Sequence, residues 1–539
     1  MNRKRIHFLL ILLIAVVRLS ATEWQWSISV KSVVSDETGD HPQAFLWIPE
    51  NCDTVRAVVF GQHNMCEETI FTHSAFRQTM SELGFAIVWV TPIFEQQWKV
   101  ENGCGQAFDE MMNDLADVSG YSELKTTPVV PLGHSAMATF PWNFAAWNKE
   151  RTLAIVSYKG DAPRTNLCGY GRENLEWGRT RNINGIPGLM IEGEYEWWEA
   201  RVNPALAFRM MYPESCISFL ADVGHGHFDV SDEVVDYICL FLKKTAEYRL
   251  TPVGLKQLNP HDGWMAERWH PVQPERPQAA PYAEYKGNPH DAFWYFDRET
   301  AEATEKYYAQ KPNCKMQYIG FEQKGQWLKY VEESHEDYKT VIAPEAGGLT
   351  FHLKAYFTDT AHTVIAGNDP QFPEQKHEKI KIERICGPVA KVNDTTFVLN
   401  FYYMGMNNRN RTGEIWLFAY ADGNDEYKSA VQQINIRVLY PLKEGTMQKI
   451  TFPEMKNVKT GTKPIKLQAT ADSGLPVHYY VKEGAAQIVD NQIVFTKIPP
   501  RARMPHKITV VAWQYGSSTE PEIQSATPVE RSFYIIRNK

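Results

Sequence analysis

The sequence lacks an excess of positive charge: its 56 Lys and Arg are outnumbered by 64 Asp and Glu, for a net charge of -8. Nucleic acid and anionic membrane surfaces both select a basic patch, so neither is expected as a partner. No C-x-x-C pair is present. The eight cysteines (Cys52, Cys66, Cys104, Cys168, Cys216, Cys239, Cys314, Cys386) are scattered, which speaks against a cysteine-rich zinc module and leaves any disulfide pairing open. After the N-terminal residues no second long hydrophobic run follows, so no membrane insertion is expected once a leader is removed. That leader is read from the positively charged stretch Asn2-Arg3-Lys4-Arg5, the apolar run Ile6 to Val17 and a cleavage site near Leu19-Ser20-Ala21. It predicts a cleaved signal peptide over 1–21 and a periplasmic or secreted protein.

What is present is enough chain for several domains: 539 residues, 43% apolar and 22% charged. From Val55 to Leu250 short apolar runs alternate with helical stretches. The runs are Arg56 to Gly61, Phe85 to Pro92, Pro128 to Gly133, Leu153 to Gly160, Gly188 to Gly193 and Cys216 to Gly224. Nearly continuous apolar runs fit strands covered on both faces, and the alternation predicts a mostly parallel sheet flanked by helices. Trp24 to Pro49 reads as an antiparallel edge hairpin. Ser231 to Tyr248 is the clearest helix, with Val234, Val235, Ile238, Phe241 and Leu242 on one face and Ser231 as its cap. The α/β region is placed at 22–255. An aromatic and Pro-rich connector carrying one helix (Asp297 to Gln310) follows at 256–338.

Two β-sandwich domains are predicted at 339–452 and 453–539, because strand types recur in the same order. Gly387 to Phe401, Ile415 to Gly423 and Gln432 to Val438 are matched by Gly484 to Ile498, Ile508 to Gly516 and Val529 to Ile535. The last stretch resembles the immunoglobulin-like C-terminal modules of exported bacterial carbohydrate-active enzymes.

The corner Gly133-His134-Ser135 ends an apolar run and opens a helix. A serine at a sharp strand-to-helix turn, with glycine two residues before it, suits a nucleophile. Met137 stands where glycine is usual two residues after, and Pro141 is expected to kink the following helix. Downstream lie an acidic cluster at Glu192, Glu194, Glu196 and Glu199 and then Gly224-His225-Gly226-His227-Phe228. On these stretches residues 55 to 250 resemble an exported α/β-hydrolase of the carbohydrate-esterase kind.

That resemblance implies a serine hydrolase needing no cofactor. Ser135 would be the nucleophile and His227 the base, with His225 as alternate. The acid would be Glu196, with Glu194 or Asp161 as alternates. The oxyanion donors would be the Ala136 amide and one from Asn64 or Met65. Trp98, Trp142, Tyr170, Trp177, Trp197 and Trp198 are candidate substrate-binding residues in an aromatic cleft for an acylated polysaccharide or oligosaccharide. Two other readings compete. His225, His227 and Asp229 have a spacing that can bind zinc in a metallohydrolase. Alternatively, a degenerate hydrolase domain with two sandwiches could make a non-catalytic glycan-binding protein.

Overall fold

The computed structural model describes residues 24–164, 173–196, 199–270, 276–308, 314–332, 334, 336–345, 347–363, 379–402 and 413–538. The proposed leader, Cys168, Tyr170, Trp197 and Trp198 lie outside these residues.

Six strands are buried along their whole length: β3 (Ala57–Gln62), β4 (Phe85–Thr91), β5 (Val129–His134), β6 (Ile155–Tyr158), β7 (Pro187–Gly193) and β8 (Cys216–Asp222). These are the continuous apolar runs of the sequence, and they pair in parallel. The hairpin β1 (Trp26–Ser29) and β2 (Gln43–Trp47) adds an antiparallel edge beside β4. The resulting eight-stranded sheet has the order β1-β2-β4-β3-β5-β6-β7-β8. In such a sheet the loops at the carboxyl ends of the parallel strands converge on one rim, which is where ligands of open α/β sheets bind.

The connecting helices include α1 (Cys66–Thr72), α2 (Ser74–Leu83), α3 (Cys104–Ser119) and α4 (Phe140–Trp147). α3 is buried along one face and exposed along the other. Its buried face carries Phe108, Met111, Met112 and Leu115, so it is a core helix. The last helix of the unit, Asp232–Arg249, is capped by the Ser231 hydroxyl, which accepts from the Val234 amide at 3.1 Å. Pro141 does not kink a helix. A 3-10 turn, Ser135–Met137, follows the serine, and Pro141 falls in the first turn of α4, where its missing N–H costs no hydrogen bond.

The aromatic connector is more ordered than its composition suggests. Trp264–Glu267, Ala280–Pro281 and Ala292–Tyr295 form a three-stranded sheet. It docks on β8: the Phe219 and Phe293 rings stack at 5.0 Å, the Ser218 hydroxyl donates to the Trp294 carbonyl and the Tyr295 hydroxyl donates to the Phe219 carbonyl.

Beyond it the same seven-strand plan is used twice. In the first unit, Lys339–Val341, Ala430–Arg437, Glu414–Ala421 and Lys381–Cys386 form one sheet. Thr350–His352, Thr396–Leu399 and Val389–Asn393 form the other. The second unit repeats this with Val458–Lys459, Val529–Ile536, His506–Trp513 and His478–Glu483. Ile465–Lys466, Gln492–Phe495 and Ala486–Val489 make its smaller sheet. In both, the first strand pairs in parallel with the last. The second unit has a core of its own, including Ile493, Ile508, Val510 and Phe533. The first shares a continuous core with the α/β unit. The second also touches that unit, since Glu483 accepts from both the amide and the hydroxyl of Ser27 at 2.9 Å.

Candidate active site

Ser135 sits at the end of β5 with φ 54°, in the left-handed region that L-residues seldom occupy. The strained corner is possible because position 133 is glycine. A Cβ there would lie 1.9 Å from the Met137 carbonyl oxygen, so no other residue fits. Met137 is buried in the apolar cluster that also holds Phe140 and Phe144.

His227 reaches this serine from the loop after β8. Its Nε2 lies 2.7 Å from the Ser135 hydroxyl oxygen, and its Nδ1 bonds the Glu196 carboxylate. Glu196 ends the short turn after β7, where the Gly193 amide donates to its other oxygen at 3.2 Å. With the proton on Nδ1 and directed at Glu196, Nε2 is the acceptor for the serine O–H. His227 and Glu196 side chains are 12% and 9% exposed, so the pair is largely shielded while Ser135 remains partly open. The chain thus brings together Ser135, His227 and Glu196.

The alternates are engaged elsewhere. His225 Nδ1 bonds Asp229, and its ring stacks on Tyr420 at 5.4 Å, nearly coplanar. Glu194 accepts the Gly224 amide at 2.9 Å and pairs with Lys428. Asp161 is buried beside Thr139, whose hydroxyl donates to it at 3.2 Å.

Corrections to the oxyanion and cleft residues follow from packing. The Asn64 and Met65 amides both donate to Glu67 Oε2, at 3.1 and 2.9 Å, and are therefore committed within their own loop. The Glu67 side chain folds back over the start of α1, and its other oxygen accepts the His134 amide at 2.8 Å. Burial pushes the Glu67 carboxyl up, the backbone amides of His134, Glu67, Met65 and Asn64 pull it down, and the balance is about 7. Ala136 follows Ser135 at the opening of a helical turn, where amides lack partners within the turn. Trp98, Trp142 and Trp177 present no face to a ligand, being 1%, 0% and 5% exposed. Trp98 sits among Phe60, Phe94, Phe108 and Phe144. The indole N–H groups of Trp142 and Trp177 donate to Asp161 O and Asn143 Oδ1. Helices laid over the sheet need bulky fillers, and these indoles serve that purpose.

Residues not singled out by sequence reasoning complete the surroundings. His134 is fully buried, and burial holds its imidazole well below the usual range, so it is neutral. Its Nε2 donates to the His227 carbonyl at 2.9 Å, fastening the loop after β8 to the corner at Ser135. Lys159, at the end of β6, places its ammonium 3.0 Å from Asp222 and 3.1 Å from Asp229 with no exposure. A lysine closing an apolar run was the available signal; its partners lie more than sixty residues on.

The zinc alternative does not assemble. His227 bonds Ser135 and Glu196, and the residues that converge with Asp229 are Asp222 and His225. Among the described residues Asp222, His225 and Asp229 do converge, but the Lys159 ammonium stands between the two carboxylates. A second convergent group, Glu267, His270 and Asp291, has Arg268 2.8 Å from Asp291. Burial alone would lower the His225 pKa, yet Asp222 and Asp229 outweigh it and raise it to about 9. A base whose folded pKa exceeds its unfolded value of about 6.5 contributes stability that is complete below that value and is lost as pH rises through the folded pKa. The thermal midpoint should therefore fall between about pH 6.5 and 9, and fall less steeply in His225→Gln. Equal slopes in the two proteins would refute the assignment.

The strand order, the strained serine corner and the Ser135–His227–Glu196 chain together define an α/β-hydrolase fold carrying a serine triad geometry. No family model matches the sequence, and no curated protein matches it. Among solved structures the chain is similar to Est1E from Butyrivibrio proteoclasticus, with 16% identity, 41% of this chain and 99% of that one covered, and a TM-score of 0.28. It is also similar to the hyperthermophilic esterase from the archaeon Pyrobaculum calidifontis, with 14% identity, 41% and 85% coverage and a TM-score of 0.28. An S-formylglutathione hydrolase from Agrobacterium tumefaciens gives 14% identity, 41% and 94% coverage and a TM-score of 0.29. The class rests on the strand order and side-chain geometry described above.

Proposed function

We propose that this chain is an exported serine esterase that hydrolyses acyl esters on a polysaccharide or oligosaccharide. One observation carries the chemistry: Ser135 Oγ lies 2.7 Å from His227 Nε2, while Nδ1 of the same ring is held by Glu196. Serine is a poor nucleophile until a base takes its proton. Here His227 takes it as Ser135 attacks the ester carbonyl, and Glu196 stabilises the imidazolium that forms. The Ala136 amide faces the negative charge developing on the carbonyl oxygen. Collapse of the tetrahedral intermediate breaks the ester C–O bond, and His227 returns the proton to the departing sugar hydroxyl. Water, deprotonated by His227, then releases the acid and restores Ser135. No cofactor enters the cycle.

The carbohydrate part of the reading rests on the resemblance of the C-terminal stretch to modules of carbohydrate-active enzymes. Export rests on the leader-like N-terminus. The buried tryptophans lend the carbohydrate reading no support. The test is a panel of acetylated, feruloylated and methyl-esterified oligosaccharides, with acid or methanol release measured for each. Release from at least one glycan ester, at a rate above that for a simple alkyl ester, is expected. Hydrolysis of alkyl esters with none of glycan esters would retain the esterase and remove the carbohydrate substrate.

A further inference from the structure

The acid and the base of the site ride on two separate loops, 194–196 after β7 and 224–229 after β8. These loops lean on each other. The Tyr195 amide donates to the His225 carbonyl at 3.0 Å, and the Gly224 amide donates to Glu194 at 2.9 Å. The approach is so close that a Cβ on Gly193 would lie 2.5 Å from the Gly226 carbonyl oxygen.

Both loops are also held from outside the α/β unit, by one short stretch of the first two-sheet unit. Lys428 pairs with Glu194. The next residue, Ser429, donates its hydroxyl to the Gly224 carbonyl at 2.8 Å, and its own carbonyl accepts the Tyr195 hydroxyl. The neighbouring strand adds Tyr420 stacked on His225 and Trp416 against Phe228 at 5.3 Å. The same unit grips α1, beside the Glu67 loop. Arg384 and the Tyr402 hydroxyl reach Glu68 at 3.2 and 3.0 Å, and the Thr69 hydroxyl donates to the Ile385 carbonyl at 2.6 Å. The serine elbow is fastened differently, from within the α/β unit, through the His134 amide to Glu67.

We infer that the unit spanning residues 339–438 is a working part of the active site, with Lys428 and Ser429 as positioning residues that set Glu196 and His227 relative to Ser135. The inference rests on the serine-esterase reading and goes beyond it. A β module tethered only by a linker would bind substrate and leave the triad untouched. This one bridges the two loops whose relative position decides whether Ser135, His227 and Glu196 align. Lys428 is four-fifths buried and Ser429 more deeply so, which keeps water from competing for their partners. Neither touches the reacting atoms. Displacing a catalytic group by an ångström costs on the order of 10²-fold in rate, so the effect should fall on turnover and not on substrate binding.

The test uses the full-length protein with Lys428→Met, Ser429→Ala and the conservative Lys428→Arg. On a nitrophenyl ester, kcat should fall about 10- to 100-fold in the first two, with KM within about threefold of wild type. Labelling of Ser135 by a fluorophosphonate should slow in parallel, since it too requires His227 to take the serine proton. Lys428→Arg should recover most of the loss. Hydrogen exchange should quicken in peptides covering 193–196 and 224–229 but not in 129–140. Wild-type kcat and labelling in Lys428→Met and Ser429→Ala would overturn the inference, as would a change confined to KM or a loss that tracks global unfolding and that arginine does not rescue. If the wild-type protein neither hydrolyses esters nor labels, the esterase reading fails instead. The exchange result then still decides whether this junction holds the two loops.

Discussion

Ser135→Ala should lower turnover of a nitrophenyl acetate-type ester by about 10³-fold or more while leaving the unfolding midpoint nearly unchanged. The activity loss follows from the chemistry: an alanine methyl offers no oxygen to form the acyl-enzyme. The unchanged midpoint follows from the geometry. The side-chain bond removed is the one to His227, and that ring keeps Glu196 on its far side. The strained φ of 54° is common to both residues, because serine and alanine each carry a Cβ, so no new backbone penalty is added. Fluorophosphonate labelling followed by mass spectrometry supplies the second readout, with a mass shift on the wild-type peptide that is absent from the variant. Unchanged turnover in Ser135→Ala would remove the mechanism.

Lys159→Met should destabilise the fold by about 3–5 kcal/mol, the largest stability effect expected from one substitution near the site. The Lys159 ammonium bridges Asp222 and Asp229, with all three side chains at 0 or 1% exposure. Burial opposes its charge, but the two carboxylates outweigh that and hold its pKa well above the usual range. Burial likewise opposes the Asp229 charge, and Lys159 and His225 hold that carboxyl well below its usual range. Removing the cation leaves two buried carboxylates with only His225 to balance them. Asp229 also accepts the Gly226 amide at 2.8 Å, so the base loop should loosen and activity should fall along with stability. Urea titration at neutral pH measures the first effect. A loss below about 1 kcal/mol would show that the cluster is held mainly by its hydrogen bonds. The double variant Lys159→Met with Asp222→Asn, which removes one of the stranded charges, should recover part of the loss.

Much of the α/β unit is legible in the sequence for a simple reason. A strand covered on both faces must be apolar at nearly every position, so β3 to β8 appear as unbroken runs. The turns carrying Ser135, Glu196 and His227 are legible because a serine at a glycine-flanked corner, an acidic turn and a glycine-flanked histidine follow the strands in chain order. The choices within those turns are another matter. Glu194 and Glu196 differ by two positions, as do His225 and His227, and one-dimensional pattern cannot say which way each side chain points. Position in the fold sent Glu196 and His227 toward Ser135, and Glu194 and His225 toward the two-sheet unit.

The tryptophans mark the same boundary. Trp98, Trp142 and Trp177 lie near strand ends in the chain, where an aromatic cleft is a reasonable expectation, yet each fills space between helix and sheet. Whether an indole faces a ligand or a neighbour depends on what is laid over it, and that is a long-range property. Asn64 and Met65 are legible as a loop near Ser135. That their amides are taken by Glu67 is not, because the carboxylate doing so folds back from a helix whose direction is set by packing.

By itself the sequence determined the strand runs, the order of the serine corner, the acidic turn and the histidine pair along the chain, and the twofold repeat in the β-rich region, because each is a local pattern of burial or turn chemistry. Only the tertiary structure decided which acid and which imidazole meet Ser135, which tryptophans are walls, and that Lys428 sits beside an acidic loop 234 positions earlier in the chain. Those outcomes depend on close packing between segments distant in sequence, and no local pattern encodes which distant surface a side chain will meet.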